Sequence, residues 1–127
     1  DRSPSRGLGD VYKRQGQKIA DIAMTKVGAP YVWGAAGPNA FDCSGLTTWA
    51  HQQLGKNIPR TSQAQAGGGH AVALNALQPG DVISYYAGAS HVGIYIGGGK
   101  IVHALNSSSP VRVDDLHYMP VHNAVRF

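Results

Sequence analysis

The chain has 127 residues, a formal charge of +4, seventeen glycines and one cysteine. That length suits one domain with its own core, a single thiol excludes an internal disulfide framework, and no apolar run is long enough to span a bilayer. The positive charge favours anionic partners, but the Lys and Arg residues are scattered and form no basic-aromatic stripe, which argues against nucleic acid and leaves anionic lipid or a wall polymer as candidates.

Residues 1–16, "DRSPSRGLGDVYKRQG", show no apolar period and read as a disordered or non-native leader outside the fold; the domain is expected over 17–127. From Gln17 a helical stripe appears, with Ile19, Ala20, Ala23 and Val27 on one face and Ile22 and Met24 widening it, stopped by Gly28 and Pro30. A glycine-rich loop follows, in which Trp33 reads as a packing residue. Asp42 is a natural N-cap for a second helix whose apolar face is Leu46, Trp49, Ala50 and Leu54, ended by Gly55. Thr61 or Ser62 caps a short third helix ending at Gly67. After Leu77 the period shortens to two. "DVISYY", "HVGIYI", "KIVHAL", "VRVDDL" and "HNAVRF" are strand candidates separated by turn residues, with Asp81 satisfying backbone donors at the first turn. Helices first and an antiparallel meander after them give an α+β domain.

Cys43 would be the first residue of the second helix. Unpaired N–H groups and the positive end of the helix dipole favour an anion there, and thiol pKa values fall at such places. The alternative is a small buried hydrophobe, the common fate of a free cysteine. A nucleophile needs a base. His51 lies two turns up the same helix, His70 follows three glycines, and His117 and His122 flank the last connection. His91 and His103 differ from these. With Gly97, Gly98 and Gly99 as the loop of a hairpin, Gly93 falls opposite His103, and the two histidines share a face on a diagonal. A two-residue loop would flip His103, and a bulge would change the count. Three readings stay open from spacing: a Cys43/His91/His103 triad, two half-buried strand histidines, or a metal site of the same three residues.

Four segments in order, "YVWGAAGPNAFDCSGL", "IPRTSQAQ", "LQPGDVISY" and "SHVGIYIGGGKIVHA", make residues 17–127 resemble the NlpC-type cell-wall cysteine peptidases, closest in flavour to the Rip-like endopeptidases of actinobacteria. The leader does not match. The resemblance implies a papain-like core with N-terminal helices on a central antiparallel sheet of five to six strands. It implies cleavage of peptidoglycan stem peptides, at the bond between the γ-carboxyl of D-glutamate and meso-diaminopimelate or another third residue. The nucleophile would be Cys43, the base His91 and the third polar residue His103. Tyr31 would help at the oxyanion or substrate, and Asp42, Ser44 and Arg60 would line the substrate groove. No cofactor and no metal are implied, the partner is the peptidoglycan stem, and the location is the bacterial cell wall; a monomer is expected, without nucleic acid or membrane insertion. An amidase or acyltransferase on the same scaffold, and a non-catalytic peptidoglycan-binding module, are the alternatives.

Overall fold

The computed structural model describes the chain from Pro4 to Phe127, with side chains described for Val11 and from Lys13 onward. Three helices, α1 (Pro4–Met24), α2 (Cys43–Gln52) and α3 (Ser62–Gly68), precede most of the sheet. The strands are β1 (His70–Ala71), β2 (Val82–Tyr85), β3 (His91–Gly97), β4 (Lys100–His103), β5 (Arg112–Asp115) and β6 (Val121–Arg126). They form one antiparallel six-stranded sheet in the order β1-β6-β2-β3-β4-β5. The α+β reading with helices on an antiparallel sheet therefore holds. The meander covers β2 to β5 only: β6 crosses back to pair with β2, Ile83 opposite Ala124. Arg126 locks it there through two hydrogen bonds to Asp81, at 2.7 and 2.9 Å. Asp81 also accepts from the Gln78 N–H, as its turn position suggested.

The N-terminus departs from expectation. Residues 4–16 are helical and continuous with the helix anticipated from Gln17, rather than a disordered leader; residues 1–3 lie outside the described residues. Once a helix is anchored, each further residue adds a hydrogen bond without a new nucleation cost, and Lys, Arg and Gln propagate it well. Lys13 and Arg14 are exposed, and Gly16 packs closely against Pro79 and Gly80. At its other end α1 stops at Met24, before Gly28, so Met24 and Val27 are exposed rather than on the apolar stripe. Gly28 and Ala29 are instead tied to Val111, by hydrogen bonds of 2.8 and 2.9 Å.

Two apolar layers flank the sheet. On one face Ile19, Ala20 and Ala23 of α1 and Leu46 and Ala50 of α2 pack with Phe41 on Ile94 and Val102. On the other, Ile83, Tyr85 and Ile101 lie under Leu116 and Met119 from the β5–β6 connection. The β3–β4 hairpin decides which face carries His103. Gly97 pairs with Lys100, leaving a two-residue loop of Gly98 and Gly99, which by itself would turn His103 to the wrong side. A register shift between Tyr95 and Gly97 inserts Ile96 as an extra residue and restores the count: Ile94 is opposite Val102, so Gly93 is opposite His103. The Cβ of His103 would lie 3.1 Å from any Cβ added at Gly93.

The start of α2 is equally exacting. A Cβ on Gly45 would enter the van der Waals shell of the Ala35 carbonyl oxygen and lie 2.8 Å from the Asp42 carboxylate. Gly45→Ala is expected to destabilise the domain by at least about 3 kcal/mol, because backbone rather than a flexible side chain must move. Gly67→Ala, which meets no atom within 4 Å, is the control. Urea denaturation of both variants checks this, and equal midpoints would contradict it.

Candidate active site

Asp42 has extended backbone (φ −94°, ψ −178°) and its Oδ1 accepts from the Gly45 N–H at 2.6 Å, capping α2. Its Oδ2 accepts from Gly34 N–H, 3.0 Å away in the glycine-rich loop. Arg60 grips the same carboxylate with both terminal nitrogens, at 3.1 and 3.0 Å, and donates to Ser44 Oγ at 2.8 Å. Arg60 immediately precedes Thr61, the cap of α3. The buried Gln65 side chain donates to Ser44 O, Thr48 Oγ1 and Pro59 O at 2.8–3.2 Å and accepts from Thr47 Oγ1 at 2.6 Å, stitching α3 to α2. Gln65 lay unremarked within "IPRTSQAQ", because a polar residue on a short helix gives no sign of burial.

Cys43 is the first residue of α2 and half-buried. It opens into a cleft of about 360 Å³ lined also by Tyr31, Trp33, Gly34, Asp42, Ser44, Arg60 and Ser90. Four residues expected to line a groove, Tyr31, Asp42, Ser44 and Arg60, thus share it with the thiol. Trp33 is 87% exposed on its rim, so it is not the packing residue its aromatic character suggested. Cys43 packs against the buried cluster of Val82, Val92 and Val125. It therefore meets β3 one residue beyond His91.

His91 and His103 come together. His91 Nε2 and His103 Nδ1 are 2.8 Å apart, with rings inclined at 69°. Tyr85, opposite His91 in the sheet, packs against its ring. His103 Nε2 is 2.7 Å from Asp114 Oδ2, and Arg112 Nε donates to the same oxygen at 2.6 Å. Asp114 was not singled out from the sequence. Alternation in "VRVDDL" puts Arg112 and Asp114 on one face, but their register against His103 depends on the irregular segment 104–111. The other histidines stay apart: His70, His117 and His122 are exposed, and His51 is buried, with Nδ1 2.8 Å from Thr47 O and its ring edge-on to Phe127. Among the described residues, no group of three or more His, Cys, Asp or Glu side chains is arranged to hold a metal ion.

The electrostatics correct one expectation. Burial pushes the Cys43 thiol above its ordinary value, with Asp42 adding to the rise, and the hydrogen bonds from Val92, Ser44 and Cys43 only partly offset it. The helix terminus does not make a resting thiolate here, because desolvation outweighs it. Burial, then His103, lowers His91 to about 3, and burial lowers His103 despite its hydrogen bond to Asp114. The resting site is thus a neutral thiol and two neutral imidazoles. For Asp114, burial alone would raise the carboxyl, but the bonds from His103 and Arg112 prevail and hold it below the usual range.

A half-buried thiol at a helix start, with paired imidazoles on the sheet it packs against, is the arrangement of a thiol peptidase domain. A sequence profile of the NlpC/P60 family matches residues 28–125, and the chain belongs to that family of cysteine peptidases. It is 63% identical over 112 residues to a "Probable endopeptidase" of Corynebacterium glutamicum, covering 88% of this chain and 54% of that protein. It is 52% identical over 110 residues to a "Probable endopeptidase" of Mycobacterium tuberculosis, covering 86% of this chain and 29% of that protein. The chain thus spans about half of one curated relative and less than a third of the other. Among solved structures, the peptidoglycan hydrolase RipB of Mycobacterium tuberculosis superposes with a TM-score of 0.82 at 29% identity, over 91% of this chain and 66% of that one.

Two measurements follow from the buried neutral groups. His51 and His91 are lowered to about 4 and about 3, so the unfolded chain, with ordinary histidines near 6.5, takes up protons first as pH falls. Stability is complete above about pH 7 and declines from 6.5 downward, by up to about 1.4 kcal/mol per pH unit for each ring. Urea titrations at pH 7, 6 and 5 should show that decline, reduced in His51→Gln; a flat profile would contradict the burial argument. Alkylation of Cys43 by iodoacetamide should be slower at pH 7 than for free cysteine and keep climbing with pH where an ordinary thiol has already levelled off. A rate constant independent of pH between 6 and 8 would indicate a resting thiolate instead.

Proposed function

We propose that this domain is a peptidoglycan endopeptidase that cleaves stem peptides on the carbonyl side of Cys43 attack, at the γ-D-glutamyl–meso-diaminopimelate bond, through an acyl-enzyme. The observation that carries the reading is the open cleft holding the Cys43 thiol beside the Asp42–Arg60–Ser44 cluster, with the His91–His103 pair beginning one residue from Val92, in the cluster Cys43 packs against. RipB, described as a peptidoglycan hydrolase, supports the substrate class by its similarity. With that substrate, the proposed working location is the bacterial cell wall. No helix among the described residues is long and apolar enough to cross a membrane.

Since thiol and imidazole both rest neutral, His91 acts as a general base during attack rather than as half of a preformed ion pair. It takes the thiol proton as sulfur adds to the γ-carbonyl. Gly45 N–H is occupied by Asp42, and Leu46 N–H by the Asp42 carbonyl. The N–H groups of Cys43 and Ser44, left over at the helix start, stabilise the sulfur as it becomes anionic and then the oxyanion. Tyr31, whose burial beside Cys43 and Asp42 raises its pKa, stays protonated and donates to the same oxyanion. His91 then protonates the leaving amine, and water activated by the same ring releases the acid.

The γ-linkage leaves the α-carboxylate of D-glutamate free. Arg60, 40% exposed on the cleft wall, has a guanidinium edge to receive it. The same ion pair satisfies Asp42 beside the sulfur: Arg60 and two backbone donors take up its oxygens, although its charge still adds to the rise of the Cys43 pKa.

Cys43→Ala should lower release of stem fragments from purified peptidoglycan by at least about 1,000-fold with the fold retained, and His91→Ala comparably. Mass spectrometry of the released fragments, with circular dichroism for the fold, is the check. Undiminished digestion by a folded Cys43→Ala would rule out the acyl-enzyme.

A further inference from the structure

The histidine pair does not by itself say which nitrogen of His91 is basic. A neutral imidazole carries one N–H and one lone pair. The 2.8 Å bond between His91 Nε2 and His103 Nδ1 forms equally well in either direction. If His103 Nδ1 donates, His91 carries its proton on Nδ1 and its lone pair is consumed inside the pair. If His91 Nε2 donates, Nδ1 is bare and available to a substrate-side proton. Nothing in the two rings chooses.

The neighbour on β5 does choose. Asp114 Oδ2 is 2.7 Å from His103 Nε2, and an ionised carboxylate only accepts. His103 Nε2 must then carry the proton, His103 Nδ1 must hold the lone pair, and His91 Nε2 must be the donor. The state of the carboxylate is itself secured by Arg112, whose Nε donates to the same oxygen at 2.6 Å while Nη1 donates to Ser109 Oγ at 3.2 Å. The sheet register supplies the placement: His103 is directly opposite Arg112, and Asp114, two residues on, is its same-face diagonal neighbour.

We propose that Asp114 is a positioning residue for the peptidase reaction, its carboxylate forcing both imidazoles into the Nε2–H form so that His91 presents an unprotonated Nδ1. The inference rests on His91 being the general base, but its first test does not. It also assigns Arg112 a part. Because a guanidinium can only donate, it orients whatever acceptor occupies position 114. In Asp114→Asn the carbonyl oxygen, not the amide nitrogen, turns toward Arg112 and hence toward His103. Asparagine therefore keeps the order of donors that alanine loses.

The test begins with the unaltered protein, labelled with 15N-histidine. Long-range 1H–15N spectra at neutral pH, with rings assigned through His91→Gln and His103→Gln, should report the Nε2–H tautomer for both His91 and His103. A proton on Nδ1 of either ring overturns the proposal, whether or not the protein cleaves stem peptides. In Asp114→Ala, kcat on a defined stem peptide should fall at least about tenfold with KM within about twofold, and the His91 signals should move toward a tautomer mixture. Asp114→Asn should regain part of kcat and the parental His91 pattern. Parental kcat in Asp114→Ala, or no recovery in Asp114→Asn relative to it, counts against the assignment. If alanine prevents folding, the parental and asparagine spectra still decide. Activity surviving in Cys43→Ala would instead overturn the peptidase mechanism and leave the tautomer result standing.

Discussion

The Asp42 carboxylate is where three separate pieces of chain are made into one site. One oxygen caps α2 at Gly45, the other holds the glycine-rich loop at Gly34, and both accept from Arg60, which also reaches Ser44. Charge-assisted bonds of this kind contribute about 1.5–3 kcal/mol each, and a buried carboxylate without them would be strongly destabilising. The cluster is therefore satisfied as a whole. What it fixes is the point where Cys43 leaves the loop and enters the helix. Gly45 allows the close approach, since its Cβ-free surface faces the Ala35 carbonyl. Gln65 holds the far side of the same turn through Ser44 O.

Electrostatics at the sulfur come out as a balance rather than as the simple consequence of a helix N-terminus. The dipole and the N–H groups favour a thiolate, but the sulfur packs with Val82, Val92 and Val125, and desolvation wins. The same is true of the imidazoles. The thiol and the two imidazoles carry no charge at rest and acquire it only when a substrate carbonyl is present to receive the sulfur. An acidic residue next to the cysteine fits such a site, because a neutral thiol is not repelled by the Asp42 carboxylate that Arg60 and two backbone donors hold in place.

Much of this was legible in sequence because it rests on short-range rules. The cap at Asp42, the thiol at the first position of α2, the Thr61 cap and the strand alternation each need only a few adjacent residues. The hairpin was legible for a subtler reason: three consecutive glycines admit several loops, yet the Ile96 bulge and the two-residue loop together give the same face for His103 as a three-residue loop would. What escaped depends on distant chain. Trp33 looked like core because indoles usually are, and only the fold puts it on the cleft rim. Val27 lost its place on the stripe because α1 ends at Met24. Residues 4–16 are helical without an apolar period, a state that composition does not distinguish from disorder. The return of β6 to β2 turns on the Arg126–Asp81 pair, 45 residues apart. Asp114 meets His103 through a register that an irregular connection sets.

The account stands on a covalent acyl group passing through Cys43, and partitioning of that intermediate tests it most directly. With a defined stem peptide and increasing hydroxylamine, the acyl-enzyme should be intercepted, so that the γ-hydroxamate of the glutamyl fragment replaces the free acid while the rate of amine release does not fall. Free acid as the sole acyl product at every hydroxylamine concentration, with cleavage proceeding normally, would contradict it.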